Sequence, residues 1–386
     1  MSNNTKIFFW APFTSKVGTV TNVINAAYSL AKFQKKKIDI SLINVFGEWN
    51  FLRENSKNDI KFLNFYKLNF FSRVKKEGFI KSRLSYIFIF LISLIPLFKI
   101  LKKEKPHYLN VHLITVLPFI LFYFFKFETK LILSIAGYPK LNFFRKFLWK
   151  KISNKIYKIV CPSNELKEEL IKHNIFDEEK IFVIQDPHLQ IHKINKHKME
   201  EIDNKIPSDH KILISIGRLT KQKNFKFLIK NFHEIQKKNN KLKLIIIGDG
   251  EQKEKLLLQI RKLNLEKKIE IIGYKKNIYN FLRRSDYYVS TSIWEGSSLS
   301  MIDAAYIGIP ILCSDCPTGR KEFIGNNKRG YLYMNDNDED FIKKMYQMLN
   351  EEEHEIKKKL VLAKKETKKF TLFQYGTNFI KLIKNI

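Results

Sequence analysis

The stretch KLKLIIIGDGEQKEKLLLQIRKLNLEKKIEIIGY, residues 241–274, reads as strand, glycine turn, helix and strand. KLKLIII is a short apolar run that stops at Gly248-Asp249-Gly250. EQKEKLLLQIRKL then reads as a helix, and KIEII as a second strand ending at Gly273 and Tyr274. Such a unit predicts parallel strands joined by a crossover helix. The same alternation runs both ways from here. KIFFWAP, KIDISLINV, HYLNVHL, KLILSIAG, IYKIVCPS and KIFVIQD read as strands upstream; KILISIGRL, DYYVSTS and PILCSD join the two strands of the opening stretch. Helices such as GTVTNVINAAYSLAKF and NFKFLIKNFHEIQKK separate them. The expected fold class is α/β, with two Rossmann-like, doubly wound domains facing each other across a cleft. The expected boundaries are 1–190, a polar linker at 191–210 without clear periodicity, 211–365, and a last helix at 366–386 that packs back on the first half.

The chain has 386 residues, comfortable for two domains, and 45% of them are hydrophobic. Its three cysteines, Cys161, Cys313 and Cys316, make no disulfide framework, and a reducing cytoplasm fits them. Cys313 and Cys316 spell C-x-x-C, but the second pair a zinc site needs is missing. The run LSYIFIFLISLIPLF, Leu84 to Phe98, is uncharged but shorter than the roughly 20 residues a spanning helix needs, and Pro96 interrupts it. It and VLPFILFYFFKF, from Val116, read as helices buried against a sheet or dipped into a membrane surface.

The net charge is +32. Part of the lysine excess is what an AT-rich gene would give. The functional reading is attraction to polyanions. Basic clusters lie at Lys35–Lys37, Lys75-Lys76, Lys102-Lys103 and Arg145 through Lys158, and several of them adjoin the apolar runs. That pairing points to an anionic membrane surface and not to nucleic acid. The expected place is therefore cytoplasmic, peripheral on the inner face of the plasma membrane.

In open α/β sheets ligands sit at the carboxyl ends of strands. In SIGRLTKQKN, Gly217 and Arg218 follow a strand and Lys223 comes five residues later, a cationic pair suited to a diphosphate. Gly248 makes a tight turn that a ligand can approach, and a base can lie against Gly273 and Tyr274. SIWEGSSLSMIDAAYIGIP, residues 292–310, carries Glu295 in a loop and Asp303 eight residues on, inside a helix. The amides near Ser298, Leu299 and Ser300 open that helix and favour a phosphate. Carboxylate, anion site, carboxylate is a template for sugar, diphosphate and ribose. The competing reading makes Ser300-x-x-Asp303 a capping box. Thr318 and Gly319 add backbone donors in the DCPTG turn, with Glu322 orienting it. His112, after HYLNV, is either a structural histidine or one that enters the cleft. D-x-D patterns at Asp336/Asp338 and Asp338/Asp340 read as acidic helix-start chemistry. Neither a metal nor a cofactor is expected.

Taken in order, Gly-Arg-Leu…Lys-Asn, Gly-Asp-Gly, Gly-Tyr, Trp-Glu-Gly-Ser-Ser…Asp and Asp-Cys-Pro-Thr-Gly-x-Lys-Glu resemble the second domain of family-4, GT-B-fold retaining glycosyltransferases. The resemblance covers about 211–345 strongly and the first half loosely. The DCPTG loop resembles that of bacterial enzymes of surface polysaccharide (capsule, lipopolysaccharide) and lipid-linked oligosaccharide synthesis. The resemblance implies a sugar moved with retention from a nucleotide-diphosphate donor, UDP-linked, to a lipid-linked or polysaccharide acceptor. Arg218 and Lys223 then match diphosphate binders, Glu295 the acid facing the donor sugar, and Asp303 the acid holding the ribose. Ser298 and Leu299 match the phosphate loop, Gly18 a first-domain loop glycine, and His112 a functional histidine of that domain. Four departures stand out. Asp303 replaces Glu, Ser297-Ser298 stand where Phe-Gly is common, Arg320 stands where proline or glycine is usual, and FTSKVGTV lacks a glycine pair. The rivals are an epimerase or phosphorylase-like enzyme on the same architecture, a nucleic-acid binder and a sugar-binding scaffold.

Overall fold

The computed structural model describes residues 4–14, 18–33, 38–52, 60–66, 79–139, 141–202, 209–317 and 319–384. Lys35–Lys37, Lys75, Lys76, Thr318 and residues 15–17 of the first-domain loop lie outside them. The chain divides into two compact units, Met1–His188 with Leu372–Ile386, and Leu189–Thr371.

The first unit holds a parallel sheet of seven strands: β1 Thr5–Trp10, β2 Ile38–Asn44, β3 Lys61–Asn64, β4 Tyr108–Val111, β5 Lys130–Ser134, β6 Ile156–Cys161 and β7 Ile181–Val183. Their order is β3-β2-β1-β4-β5-β6-β7. β1 shows why its sequence is apolar without alternation. Phe8 and Trp10 enter one core while Ile7 and Phe9 enter the other, so both faces of the strand are covered. The last helix, Leu372–Lys384, packs on the helix Gly18–Phe33 of this same unit. Tyr375, Phe379, Leu382 and Ile383 join its core. Gly376 permits the approach, since a Cβ there would lie 2.8 Å from Ser29 Oγ.

The second unit holds six parallel strands: β8 Lys211–Ile216, β9 Leu242–Ile247, β10 Ile269–Ile271, β11 Tyr287–Ser290, β12 Ile311–Asp315 and β13 Tyr331–Met334, in the order β10-β9-β8-β11-β12-β13. β9 divides like β1, with Leu244 and Ile246 on one face and Ile245 and Ile247 on the other.

Several expectations need adjusting. The expected linker contains the helix Ile191–His197, and it belongs to the second unit. The chain passes back to the first unit after Thr371, not at 366. Strands β3 and β13 were not anticipated; both are four residues long at a sheet edge. Pro96 does not interrupt its helix, which runs unbroken over Phe79–Glu104. Proline costs a helix one backbone bond, here to the carbonyl of Ile92. The Tyr66 hydroxyl donates to that same carbonyl at 2.6 Å.

That helix covers the core with one side only. Ile89, Leu97 and Leu101 are fully buried, whereas Leu84, Ile87, Phe88, Leu91 and Ile95, at helical spacing on the other side, are each more than two-fifths exposed. Leu84–Glu104 is long and apolar enough to cross a membrane by length and composition, yet its inner side belongs to the core of the unit.

Candidate active site

In the second sheet the strand order reverses between β8 and β11, and the loops following these two strands meet. The Thr291 hydroxyl donates to the carbonyls of Lys223 and Asn224 at 3.0 and 3.1 Å. Ile293 N–H donates to Gln222 O, and the Gln222 side chain donates to Trp294 O. Asn224 adopts a left-handed conformation, φ 52°, which turns the chain from Lys223 into the next helix.

This stitching brings Lys223 Nζ within 2.6 Å of Glu295 Oε1. Gly217 makes room, because a Cβ there would lie 3.1 Å from the Lys223 stem. Gly248 is required more strictly: its Cβ would stand 1.8 Å from Gly217 O, and its N–H donates to Gly273 O. So Gly248 lets the end of β9 approach that of β8, and the Gly273 carbonyl ties the end of β10 to it. Arg218 is exposed and makes no ion pair among the described residues, and Tyr274 is 76% exposed.

Glu295 is 7% exposed and carries more partners than the sequence suggested. Its Oε1 also accepts from Ser292 Oγ at 2.6 Å and from Arg320 Nη2 at 3.1 Å. Burial alone would raise its pKa, but Lys223 and Arg320 outweigh that and hold the carboxyl below the usual range. Arg320, 1% exposed, sits among serines. Its Nε donates to Ser298 Oγ, Nη1 to Ser314 Oγ and Nη2 to Ser290 Oγ, each at 2.7 Å. Sequence reasoning noted Arg320 only as an oddity. The available signal was a lone arginine among the serine-rich ends of three adjacent segments, STS, GSS and CSD.

Asp303 is 2% exposed, on the helix Leu299–Ile307. The N-cap of that helix is Ser298, two residues before the position a capping box would need, so Ser300-x-x-Asp303 is out of register. Ser300 instead meets the Tyr288 hydroxyl at 2.8 Å. Burial and the Asp303 carboxylate both raise the pKa of Tyr279, whose hydroxyl is hydrogen-bonded to Asp303. The Leu299 amide donates to Ser297 O at 2.7 Å. Of the D-x-D residues, Asp338 pairs with Lys230 and Asn231, and Asp340 accepts from Met334 N. Cys313 and Cys316 are buried free thiols.

Gly18 and His112 lie in the first unit, the remaining site candidates in the second. Gly18 opens its helix with open space where a side chain would stand. His112 follows β4, its ring stacked on Phe9 at 5.7 Å. Its Nε2 is enclosed without a hydrogen-bond partner among the described residues. Burial pushes the imidazole down to about 3, so it is neutral.

These sheets define the class. The chain has the GT-B fold, and it superposes on the Anabaena protein HepE (Alr3699), solved with UDP and glucose, with a TM-score of 0.71 at 13% identity, over 99% of this chain and 100% of that one. The family follows from sequence. The model for glycosyl transferases group 1 matches residues 198–368. An uncharacterized glycosyltransferase of Methanocaldococcus jannaschii, MJ1059, is 30% identical over 314 residues, 75% of this chain and 77% of its own length. A Campylobacter jejuni enzyme, N-acetylgalactosamine-N,N'-diacetylbacillosaminyl-diphospho-undecaprenol 4-alpha-N-acetylgalactosaminyltransferase, is 26% identical over 58% of this chain and 62% of its own. The chain belongs to the group 1 family and is a glycosyltransferase.

Proposed function

We propose that this glycosyltransferase moves a hexose or N-acetylhexosamine, with retention, from a UDP-sugar to a lipid-linked or polysaccharide acceptor. The observation that carries the reading is the pairing of Lys223 with Glu295 where the order of the second sheet reverses, with Arg218 exposed in the same loop as Lys223. Arg218 and Lys223, with the start of the helix Leu299–Ile307, stabilise the diphosphate as it leaves and gains charge. Glu295 positions the sugar as it becomes oxocarbenium-like, a need shared with glycoside hydrolysis. Asp303 takes the ribose hydroxyls, its carboxylate having acceptor sites beyond the one that meets Tyr279. Gly217, Gly248, Gly273 and Tyr274 shape the nucleotide pocket. Acceptor recognition is assigned to the first unit, where His112 and Gly18 are the candidate residues. The basic side chains carry the phosphates without a metal. HepE, solved with UDP and glucose, supports the donor class, and the diphospho-undecaprenol substrate of the C. jejuni relative supports a lipid carrier.

The exposed apolar side of Phe79–Glu104 supports docking on an anionic membrane, at the cytoplasmic face where such a carrier is reached. Phe124 and Phe143 extend the exposed apolar surface on the next two helices, Val116–Phe124 and Phe143–Ile152, which pack in sequence. Lys99, Lys102, Lys103 and Lys146 supply the charge.

The test is product analysis with a panel of UDP-sugars and undecaprenyl-diphosphate sugars. UDP release that depends on acceptor, with the anomeric configuration kept, is expected. A nucleotide sugar altered without any acceptor supports the epimerase instead.

A further inference from the structure

Two cations reach one oxygen of Glu295, and they are held very differently. Lys223 Nζ has Glu295 as its partner among the described residues, at the end of a flexible stem. Arg320 is fully buried and anchored by Ser290, Ser298 and Ser314 as well as by Glu295. Ser298 and Arg320, both departures from the family pattern, touch each other directly.

We propose that Arg320 is a positioning residue whose fixed charge keeps Glu295 neutralised when Lys223 leaves it for the phosphates of the donor. The proposal rests on the nucleotide-sugar reading above. A buried carboxylate stripped of every counter-charge is strongly destabilised. With Lys223 as the only cation beside Glu295, a diphosphate would have to win it from a buried partner. Arg320 removes that competition: it cannot follow the phosphate, because its other donors are spent on the serines. The same guanidinium holds Ser298, so the start of the phosphate-facing helix and the sugar-facing acid are fixed as one piece.

The experiment measures UDP and uridine affinity by calorimetry on the wild-type chain, Arg320→Met, Arg320→Lys and the double variant Glu295→Gln/Arg320→Met. Uridine has no phosphate and does not call on Lys223. In Arg320→Met, UDP affinity should fall by about tenfold to a hundredfold while uridine affinity holds. Arg320→Lys should recover part of the loss. The double variant should recover most of it, because no buried charge then needs neutralising; a merely structural arginine would not be rescued this way. UDP binding in Arg320→Met equal to wild type, or equal losses of UDP and uridine with no rescue, overturns the proposal. If Arg320→Met does not fold, Arg320→Lys and the double variant still decide: selective loss of UDP in the first with recovery in the second supports it, and its absence overturns it. A wild-type chain that binds no UDP overturns the nucleotide reading, and this inference with it.

Discussion

Glu295 and Asp303 have the same chemistry and opposite surroundings. Glu295 is held between two cations. Asp303 lies against a tyrosine hydroxyl. The two cations on Glu295 are not equivalent, and stability should show it. Lys223→Ala leaves Glu295 with Arg320, so unfolding should shift by under about 1 kcal/mol while UDP affinity falls at least about tenfold. Glu295→Ala leaves a buried guanidinium without its carboxylate and should cost about 3–5 kcal/mol in denaturant unfolding. Equal costs for the two would mean that Arg320 does not neutralise Glu295. Glu48, outside the site, gives a separate test. It is 0% exposed, accepts from the Val45 and Phe46 amides, and burial raises it from 4.5 to about 7. Its folded pKa lies above the unfolded one, so folding takes up a proton between those values. Its contribution to stability therefore falls as pH rises from 4.5 to about 7, then stays level. Thermal unfolding of Glu48→Gln across that window should lack this slope, and an unchanged slope would refute the assignment. Glu295 and Asp303 could be singled out as candidates in the sequence because a strand, a turn and a helix start surround them. Arg320 could not, because its serine cage comes from segments that only the sheet brings together.

At the scale of elements, the apolar side of Phe79–Glu104 decides whether this chain meets a membrane. Lysines near a surface contribute about 1 kcal/mol each, and a fully buried large apolar side chain about 1.5–3. The apolar stripe therefore outweighs the charge. Leu91→Glu with Ile95→Glu should abolish flotation with anionic vesicles and leave UDP affinity intact. Wild-type binding should weaken but persist at about 1 M salt, where screening reaches about 3 Å. Binding that vanishes with salt, or that survives the double substitution, would assign docking to the lysines alone. Reading the sequence recovered this helix's composition but not its continuity, since the bond Pro96 forfeits is made good by Tyr66, far off in the chain. Strands β3 and β13 escaped for a related reason. KFLN and YLYM are too short to show a period, and an existing sheet edge recruits them.

For the whole molecule, two doubly wound sheets were legible because runs such as FFW and LIII are apolar on both faces of a covered parallel strand. The transitions between units were less so: residues 191–197 are polar yet helical, and the return to the first unit falls at an isolated bridge, Leu189 with Thr371. The central claim is that the second unit grips a nucleotide diphosphate. Calorimetric titration with UDP and GDP, with and without EDTA, on the wild-type chain, Asp303→Ala and Arg218→Ala tests it most directly. Micromolar UDP binding that ignores EDTA and is lost in both folded variants is the predicted result. Absence of nucleotide binding, or an Asp303→Ala that lowers only the melting temperature, would contradict it.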